Sequence, residues 1–452
     1  MKSRNLGIWV VALMVLWALA SVAPAASFIV WPGQSLQTAI NNAAAGDNIT
    51  VMEGVYTENI TISKGIDIRG ETGRTVQVTG TLVISNASAN VYINGLILNG
   101  DLSVTNCADV RLDNNTLWVG LSVTGSKFYL YKTTVTGGAV FTNSDWTLQG
   151  STIGAGLTSN TSNTKIIKST ITGDCIHNDA TKELTVFQST VTEKLKLTSA
   201  KYWVCYNNIR YMEVYGGSGE VTGNAINGRN GRLNGIRLES GNAIIRNNII
   251  GWFHEDSYGS FYECDNGIFI VSGAYKISNN FIWILGNRYK DPAASKSAVG
   301  IGIYVKSTTS TEITNNIIMS CYNEQPTGVG GGKSIIAPNT NVIVRNNNLM
   351  DGTAGGVVPV DCINTGPGFV DLLAGDYRLK ADSPCLNTGL ADPEYNDHDG
   401  SRNDMGMYGG HSYDPDGKTT TAPVVLSSEV SPLFIKRGGT VTIKARAGVA
   451  AE

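Results

Sequence analysis

The residues best suited to chemistry gather in the C-terminal half of the chain. Residues 224–246 hold Arg229, Arg232, Arg237 and Arg246 against Glu239 alone, a local charge of 4 − 1 = +3 in a chain with 34 Lys+Arg and 37 Asp+Glu. Three later stretches, "GWFHEDSYGSFYECDN", "WILGNRYKDPAASKSAV" and "MSCYNEQPTGVGGGKS", carry Trp252, Phe253, His254, Tyr258, Phe261, Tyr262, Trp283, Tyr289 and Tyr322. Aromatic rings stack on sugar faces and guanidinium or ammonium groups pair with carboxylates, so this mixture suits an acidic polysaccharide. The bland alternative is a solvated basic edge. Further on, Asp397, Asp399 and Asp404 surround Gly400; these oxygens are candidates to ligate calcium, or else to pair with Arg402. Seven cysteines show no CxxC and no Cys/His pair at zinc spacing. Buried single thiols are expected, with Cys362 and Cys385 the pair to test first for a crosslink.

These residues need a scaffold, and composition points to strands and turns. The 452 residues include 52 glycines, 41 asparagines and 12 prolines, with 42% hydrophobic and 16% charged. That charge fraction is well below the usual quarter. Together with the hydrophobic content it excludes a disordered chain. A net charge of −3 argues against a generic nucleic-acid binder. Few prolines and no Gly-x-y period exclude collagen. Length alone predicts two or three domains.

A repeat overrides that expectation. A short phrase recurs, apolar-x-apolar, a polar pair, then another apolar residue, as in "VRLDNNTL", "WTLQGSTI", "YWVCYNNI", "AIIRNNII" and "TEITNNII". Aligning the apolar residue after the polar pair gives Leu96, Leu117, Val135, Ile153, Ile171, Val191, Ile209, Ile226, Ile249, Phe281, Ile317 and Leu349. The spacings are 21, 18, 18, 18, 20, 18, 17, 23, 32, 36 and 32. A period of 18–20 is too short for helical repeats of about 33–34 residues and lacks a Leu-rich signature. Three short strands joined by three turns do fit. Alternation then sends every second side chain inward, and successive coils stack like residues on like. Asn tolerates the left-handed backbone at a sharp bend, and its amide can bond the equivalent Asn one coil away. Thr133-Thr134, Ser151-Thr152, Ser169-Thr170 and Ser189-Thr190 read as a hydroxyl version of that ladder. Up to Ile226 the coils are compact, with little room for a binding loop. Beyond it the extra residues are the aromatic-bearing stretches, and long loops in a compact array are usually functional.

The repeat, with "PGQSLQTAINNAAAGDNITVMEGVYTENITISKGIDIRG" ahead of it, resembles the right-handed parallel β-helix proteins, the broad class that includes pectate lyases and many exported bacterial surface proteins. The resemblance covers about residues 28–410. It implies an all-β, right-handed parallel β-helix solenoid with an N-terminal capping helix, a C-terminal cap and a partial β-sandwich-like tail. Ser35 is the expected N-cap, with Leu36, Ala39, Ile40 and Ala43 as the apolar stripe. The class also implies a groove floored by "GIRLES", "GIFIVS" and "GIGIYV" and walled by the long loops. Ile236, Leu238, Ile268, Ile270, Ile301 and Ile303 are expected inward; Arg237, Glu239, Phe269, Val271 and Tyr304 outward, with Lys306 nearby. For a uronate lyase, Arg237 or Lys306 is the candidate base for the C5 proton. Glu239, Asp265 or Glu263 are candidates to hold a calcium that neutralises the carboxylate. His254 is a further acid/base candidate. A hydrolase needs two facing carboxylates, for which Glu239 and Asp265 are nearest. Trp252, Tyr258, Phe269, Tyr289 and Tyr304 are the candidate sugar-binding aromatics. The "RxPxxR" of classical pectate lyases is missing, as are the polygalacturonase paired aspartates and "GHG". The expectation is therefore a polysaccharide-binding protein. A lyase or hydrolase is the alternative, and a structural or adhesion module the second alternative.

The ends complete the expectation. Lys2 and Arg4, the apolar run Leu6–Leu19 and Ala23-Pro24-Ala25 make residues 1–26 a signal peptide. The mature chain is then secreted or at the cell surface, with charge 32 − 37 = −5. Residues 27–80 read as N-terminal cap and first coil, 81–365 as the β-helix, 366–413 as a closing module and 414–423 as a linker. Residues 424–452 begin an incomplete immunoglobulin-like domain, too little to fold alone. Polysaccharide is the expected partner, with no nucleic acid and no stable membrane insertion once the signal is cleaved. A monomer is expected, with calcium the one cofactor implied.

Overall fold

The computed structural model describes residues 25–228, 234–251, 266–284, 300–307, 310–319, 321, 332–338, 341–397 and 399–410, together with the strands Val424–Ser431 and Thr442–Gly448. The leader expected at the N-terminus lies outside the described residues up to residue 24. No described helix is long and apolar enough to cross a membrane.

Strands wind into a solenoid of about 14 turns. Each turn contributes a strand to three parallel sheets. The first sheet runs from Ile60–Ile62 through Leu82–Ser85 to Thr353–Ala354. The second runs from Ser27–Val30 to Val342–Arg345, and the third from Gly54–Thr57 to Asn348–Leu349. Register stacks like on like: Leu82, Leu102, Leu121 and Ala139 pair in succession, as do Ile84, Val104, Val123 and Phe141. All eight are buried. Alternation within each strand drives this, since inward residues lose water on every side and outward ones keep it.

The bend between the second and third sheets explains the asparagines. Its first residue is left-handed: φ is 54° at Asn247, 54° at Asn279, 59° at Asn315 and 50° at Asn346. Short amide side chains tolerate that backbone best. The second residue points inward and accepts a backbone N–H from the coil before it. Asn224 N–H donates to Asn248 Oδ1 at 2.9 Å, Asn248 to Asn280 at 3.1 Å, Asn280 to Asn316 at 2.9 Å and Asn316 to Asn347 at 2.8 Å. Upstream the same row continues through hydroxyls, Thr133 N–H to Ser151 Oγ and Ser151 N–H to Ser169 Oγ. The expected ladder therefore runs unbroken from Asn115 to Asn347, where Cys362 Sγ takes the last N–H.

The N-terminal helix Leu36–Asn42 behaves as expected. Ser35 caps it by accepting the Thr38 N–H, while Leu36, Ile40 and Ala43 join the core beside Ile49 and Ile60. Glu58 reinforces the cap, accepting from Leu36 N at 2.6 Å and Gln37 N at 3.2 Å. Carboxylates at a helix N-terminus meet both free donors and the positive dipole end.

Two features differ from expectation. Leu98, Ile250, Ile282 and Ile318, not Leu96, Ile249, Phe281 and Ile317, stand in the inward row with Leu117 and Ile226. Ile301 is half-buried and pairs Asn266, while Ile303 and Val305 carry the core. The described cysteines are single thiols, as expected; the pair to test for a crosslink, Cys362 and Cys385, is not bonded, and Cys385 is buried against Asn348 Nδ2 at 3.2 Å.

The displaced row has a purpose. Residues 367–410 do more than close the far end; they lie back along the flank of the last coils. Ile249, Phe281 and Ile317 face outward and form a second core with Phe369, Tyr377, Cys385, Met405 and Met407. Phe281 packs against both Phe369 and Tyr377, with ring centroids 4.8 and 5.0 Å away. The left-handed asparagines tie this strap down. Asn247 Nδ2 donates to the Met407 and Gly409 carbonyls at 2.9 and 2.7 Å, and Asn279 Nδ2 to that of Asp404 at 2.8 Å. Asn315 Oδ1 accepts the Leu390 N–H at 2.7 Å. Separately, Val424–Ser431 and Thr442–Gly448 pair antiparallel.

Candidate functional site

Residues 252–265 fall between the third-sheet strand Ile249–Ile250 and the first-sheet strand Asn266–Ile270 in the sequence, and residues 285–299 between the corresponding strands Phe281–Trp283 and Ile301–Val305. Trp252, Phe253, His254, Tyr258, Phe261, Tyr262, Glu263, Asp265 and Tyr289 fall in these stretches, outside the described residues; Arg229, Arg232 and Tyr322 lie elsewhere in the chain and are likewise outside them. The floor strands are described. Ile236, Leu238, Ile268, Ile270 and Ile303 are fully buried, which turns the alternate residues outward.

Parallel register then sets those outward residues side by side. Arg237 pairs Phe269, and Phe269 pairs Tyr304, on three successive coils. The Arg237 guanidinium carbon lies 5.1 Å from the Phe269 ring centroid. Phe269 and Tyr304 stack at 5.3 Å with planes 8° apart. Arg237 Nε also donates to Glu239 Oε1 at 2.5 Å, an ion pair within one strand. Lys306 is exposed at the far edge and makes no ion pair among the described residues. Five of the sequence-predicted residues, Arg237, Glu239, Phe269, Tyr304 and Lys306, thus share one face.

Other members of the constellation separate. Arg246 points out of the second sheet, where Nε meets Glu220 Oε1 at 2.9 Å. The basic stretch therefore gives this face only Arg237 among its described residues. Asp397, Asp399 and Asp404 each turn to backbone donors. Asp397 accepts from Asp404 N and Gly410 N, Asp399 from Ser401 N, and Asp404 from Asn387 N at 2.6 Å. Arg402 does not pair with them; its Nε donates to the Gly389 carbonyl at 2.7 Å. No group of three metal-ligating side chains converges among the described residues. Burial pushes the Asp397 carboxyl up to about 6, against the Gly410 N–H that favours its charged form.

The face extends further upstream than expected. Glu213 pairs Arg237 in register, and Lys196 pairs Glu213. Tyr215 donates to Glu213 at 3.3 Å, with Lys196 Nζ 4.9 Å from its ring centroid. Burial and the Glu213 charge both raise the Tyr215 phenol above its ordinary value. The signal was present in "KLKL" and "MEVY", whose alternation places Lys196, Glu213 and Tyr215 outward. Their coils carry no long loop, so nothing but alternation marks them. The composite surface is a ribbon of paired charges and stacked rings along the axis. It can bind an extended chain.

The register defines a three-sheeted parallel β-helix. No family model and no curated protein matches the chain. Among solved structures, the pectate lyase Pel9A is similar at TM-score 0.27 and 13% identity, over 84% of this chain and 96% of that one. The PL6-family alginate lyase AlyGC is similar at TM-score 0.31 and 14% identity, over 79% of this chain and 57% of that one.

Proposed function

We propose that this is an exported, surface-associated β-helix protein that binds an acidic polysaccharide along the first sheet over residues 235–306. The observation that carries the reading is the in-register column Arg237, Phe269 and Tyr304, with Lys306 exposed at its edge. Rings one coil apart, about 4.8 Å, offer repeated contacts to a linear polymer. Guanidinium and ammonium groups beside them supply hydrogen bonds to carboxylates.

Pectate, alginate and a glycosaminoglycan are the probes, in affinity electrophoresis and calorimetry on the full chain. Binding to at least one is expected, weakening as NaCl rises because exposed charge contacts are screened over about 8–10 Å at physiological ionic strength. Arg237→Ala and Phe269→Ala should each weaken binding about tenfold, the order expected for losing one charge-assisted contact or stacked ring. If both variants bind as the parent does, the placement on this face is wrong.

The enzyme reading has its own readout. Unsaturated products seen by UV absorbance, abolished by Lys306→Met, would mark a lyase with Lys306 as base. New reducing ends without UV absorbance, lost in Glu239→Gln, would mark a hydrolase. Neither product from any probe leaves binding as the activity.

A further inference from the structure

The N-terminal coils carry a grooved surface, although they have no long loops. Three depressions of about 640, 580 and 560 Å³ adjoin on the outer face of the second sheet and the turn leading into it. The first shares Tyr129 and Thr147 with the third, and the second shares Lys127, Asp145 and Lys182 with the third. Together they make one groove from the coil of Tyr92 to that of Glu183, five coil steps and so about 24 Å at ~4.8 Å per step.

Its floor comes from register. Tyr92, Arg111, Tyr129, Thr147 and Lys165 pair in succession on five coils. Tyr92 and Tyr129 are half-buried, standing on the apolar row Val91, Val110, Phe128 and Trp146. Cations lie against the rings: the Arg111 guanidinium carbon is 5.8 Å from the Tyr92 centroid and Lys127 Nζ is 5.3 Å from that of Tyr129.

The charges name the occupant. The lining holds Arg111, Lys127, Lys165 and Lys182 against Asp109, Asp145, Asp179 and Glu183, so 4 − 4 = 0. Two of the cations are also paired locally: Lys127 Nζ is 3.4 Å from Asp109 and Arg111 is 3.2 Å from Asp113, while Asp145 accepts from Asn163 Nδ2 at 2.7 Å. A polyanion gains little net attraction from a lining whose charges cancel and whose Arg111 and Lys127 already have counter-charges. A hydroxyl-rich neutral chain gains both donors and acceptors at fixed intervals, with aromatic edges for its apolar faces. We propose that this groove binds an uncharged linear glycan, independently of the acidic-polymer face on the first sheet.

The test titrates the full chain with cellohexaose, xylohexaose and mannohexaose, and with an oligogalacturonate as the acidic comparator. At least one neutral hexasaccharide should bind, with affinity unchanged between 0.05 and 0.5 M NaCl as a roughly charge-balanced contact requires. Tyr129→Ala removes a ring, and Thr147→Trp fills the groove without touching the buried rows. Each should weaken neutral-glycan binding at least tenfold, while Arg237→Ala leaves it unaltered. Should Tyr129→Ala lower the melting temperature, Thr147→Trp alone decides. The proposal is overturned if no neutral hexasaccharide binds at millimolar concentration, if Thr147→Trp binds like the parent, or if oligogalacturonate is the sole ligand and Thr147→Trp abolishes its binding. Loss of acidic-polymer binding in the Arg237 variant with neutral binding retained separates the two sites.

Discussion

Asn280→Leu should destabilise the C-terminal coils by about 4 kcal/mol, at the upper end for a single substitution. Asn280 is fully buried, and every polar atom of its side chain is used. Its Nδ2 lies within hydrogen-bond distance of the Ile245 carbonyl at 2.9 Å, the Ser278 carbonyl at 3.1 Å and Asn316 Oδ1 at 2.9 Å. Its Oδ1 accepts from Asn248 N at 3.1 Å and Asn248 Nδ2 at 2.9 Å. Leucine has nearly the right volume but leaves these partners buried without it, and each orphaned group costs about 1–3 kcal/mol. The Asn248 backbone N–H is the worst placed, since no water reaches it. Ser151→Ala, higher on the same ladder, should cost only about 1–2 kcal/mol, because Ser151 Oγ accepts one N–H and donates one bond to the Gln149 carbonyl. Because each coil touches only its neighbours, the readout is amide exchange: protection should fall in coils flanking residue 280 before it falls near residue 100. Equal losses for the two variants would show that the ladder is not what holds the coils together.

Much of this was legible because a solenoid writes its geometry locally. Two adjacent polar residues at near-constant spacing gave the bend, and alternation in "GIRLES" and "GIFIVS" correctly separated buried Ile236 and Ile268 from outward Arg237 and Phe269. The failures have equally physical causes. In "NNII", "NNFI" and "NNII" two apolar residues follow the bend, and aligning on the first of them slips the row by one. Counting two residues on from the ladder asparagine, as from Asn224 to Ile226, gives Ile250, Ile282 and Ile318. What no local pattern carries is the strap that covers the first of each pair, whose contacts join Asn247 to Gly409 and Asn279 to Asp404 across more than a hundred residues. The Arg-rich stretch failed similarly, because it crosses a corner: Arg237 stands on the first sheet and Arg246 on the second, where Glu220 neutralises it. The N-terminal groove has no long loop to mark it in the sequence, because its floor is built from strands alone.

Acidification should weaken the middle of the solenoid while sparing the strap, and His177 is the reason. His177 stands in the inward row between Ser159 and Leu197 and is 1% exposed. Its Nδ1 meets Thr164 Oγ1 at 3.2 Å, which in turn meets Ser159 Oγ at 2.8 Å, while Nε2 is buried without a partner. Burial pushes its pKa from 6.5 down to about 4, the nearby Asp179 charge opposing only in part. Between those values the unfolded chain holds a proton that the folded chain refuses. Stability from the neutral ring is therefore fully present above about pH 6.5 and falls as pH drops toward 4, by about 3 kcal/mol at 1.36 kcal/mol per unit. Asp397 in the strap has the opposite sign: its raised pKa, about 6, means the folded state takes up a proton first, so acid relieves the strap. A single melting curve would blend the two. Local readouts separate them: amide protection factors, which correct for the intrinsic pH dependence of exchange, should fall at residues 157–205 from pH 7 to 4.5 and not at residues 385–410. In His177→Leu, with leucine already at the paired position Leu197, this loss of protection in the middle coils should disappear. Its persistence in that variant would assign the acid sensitivity to another group.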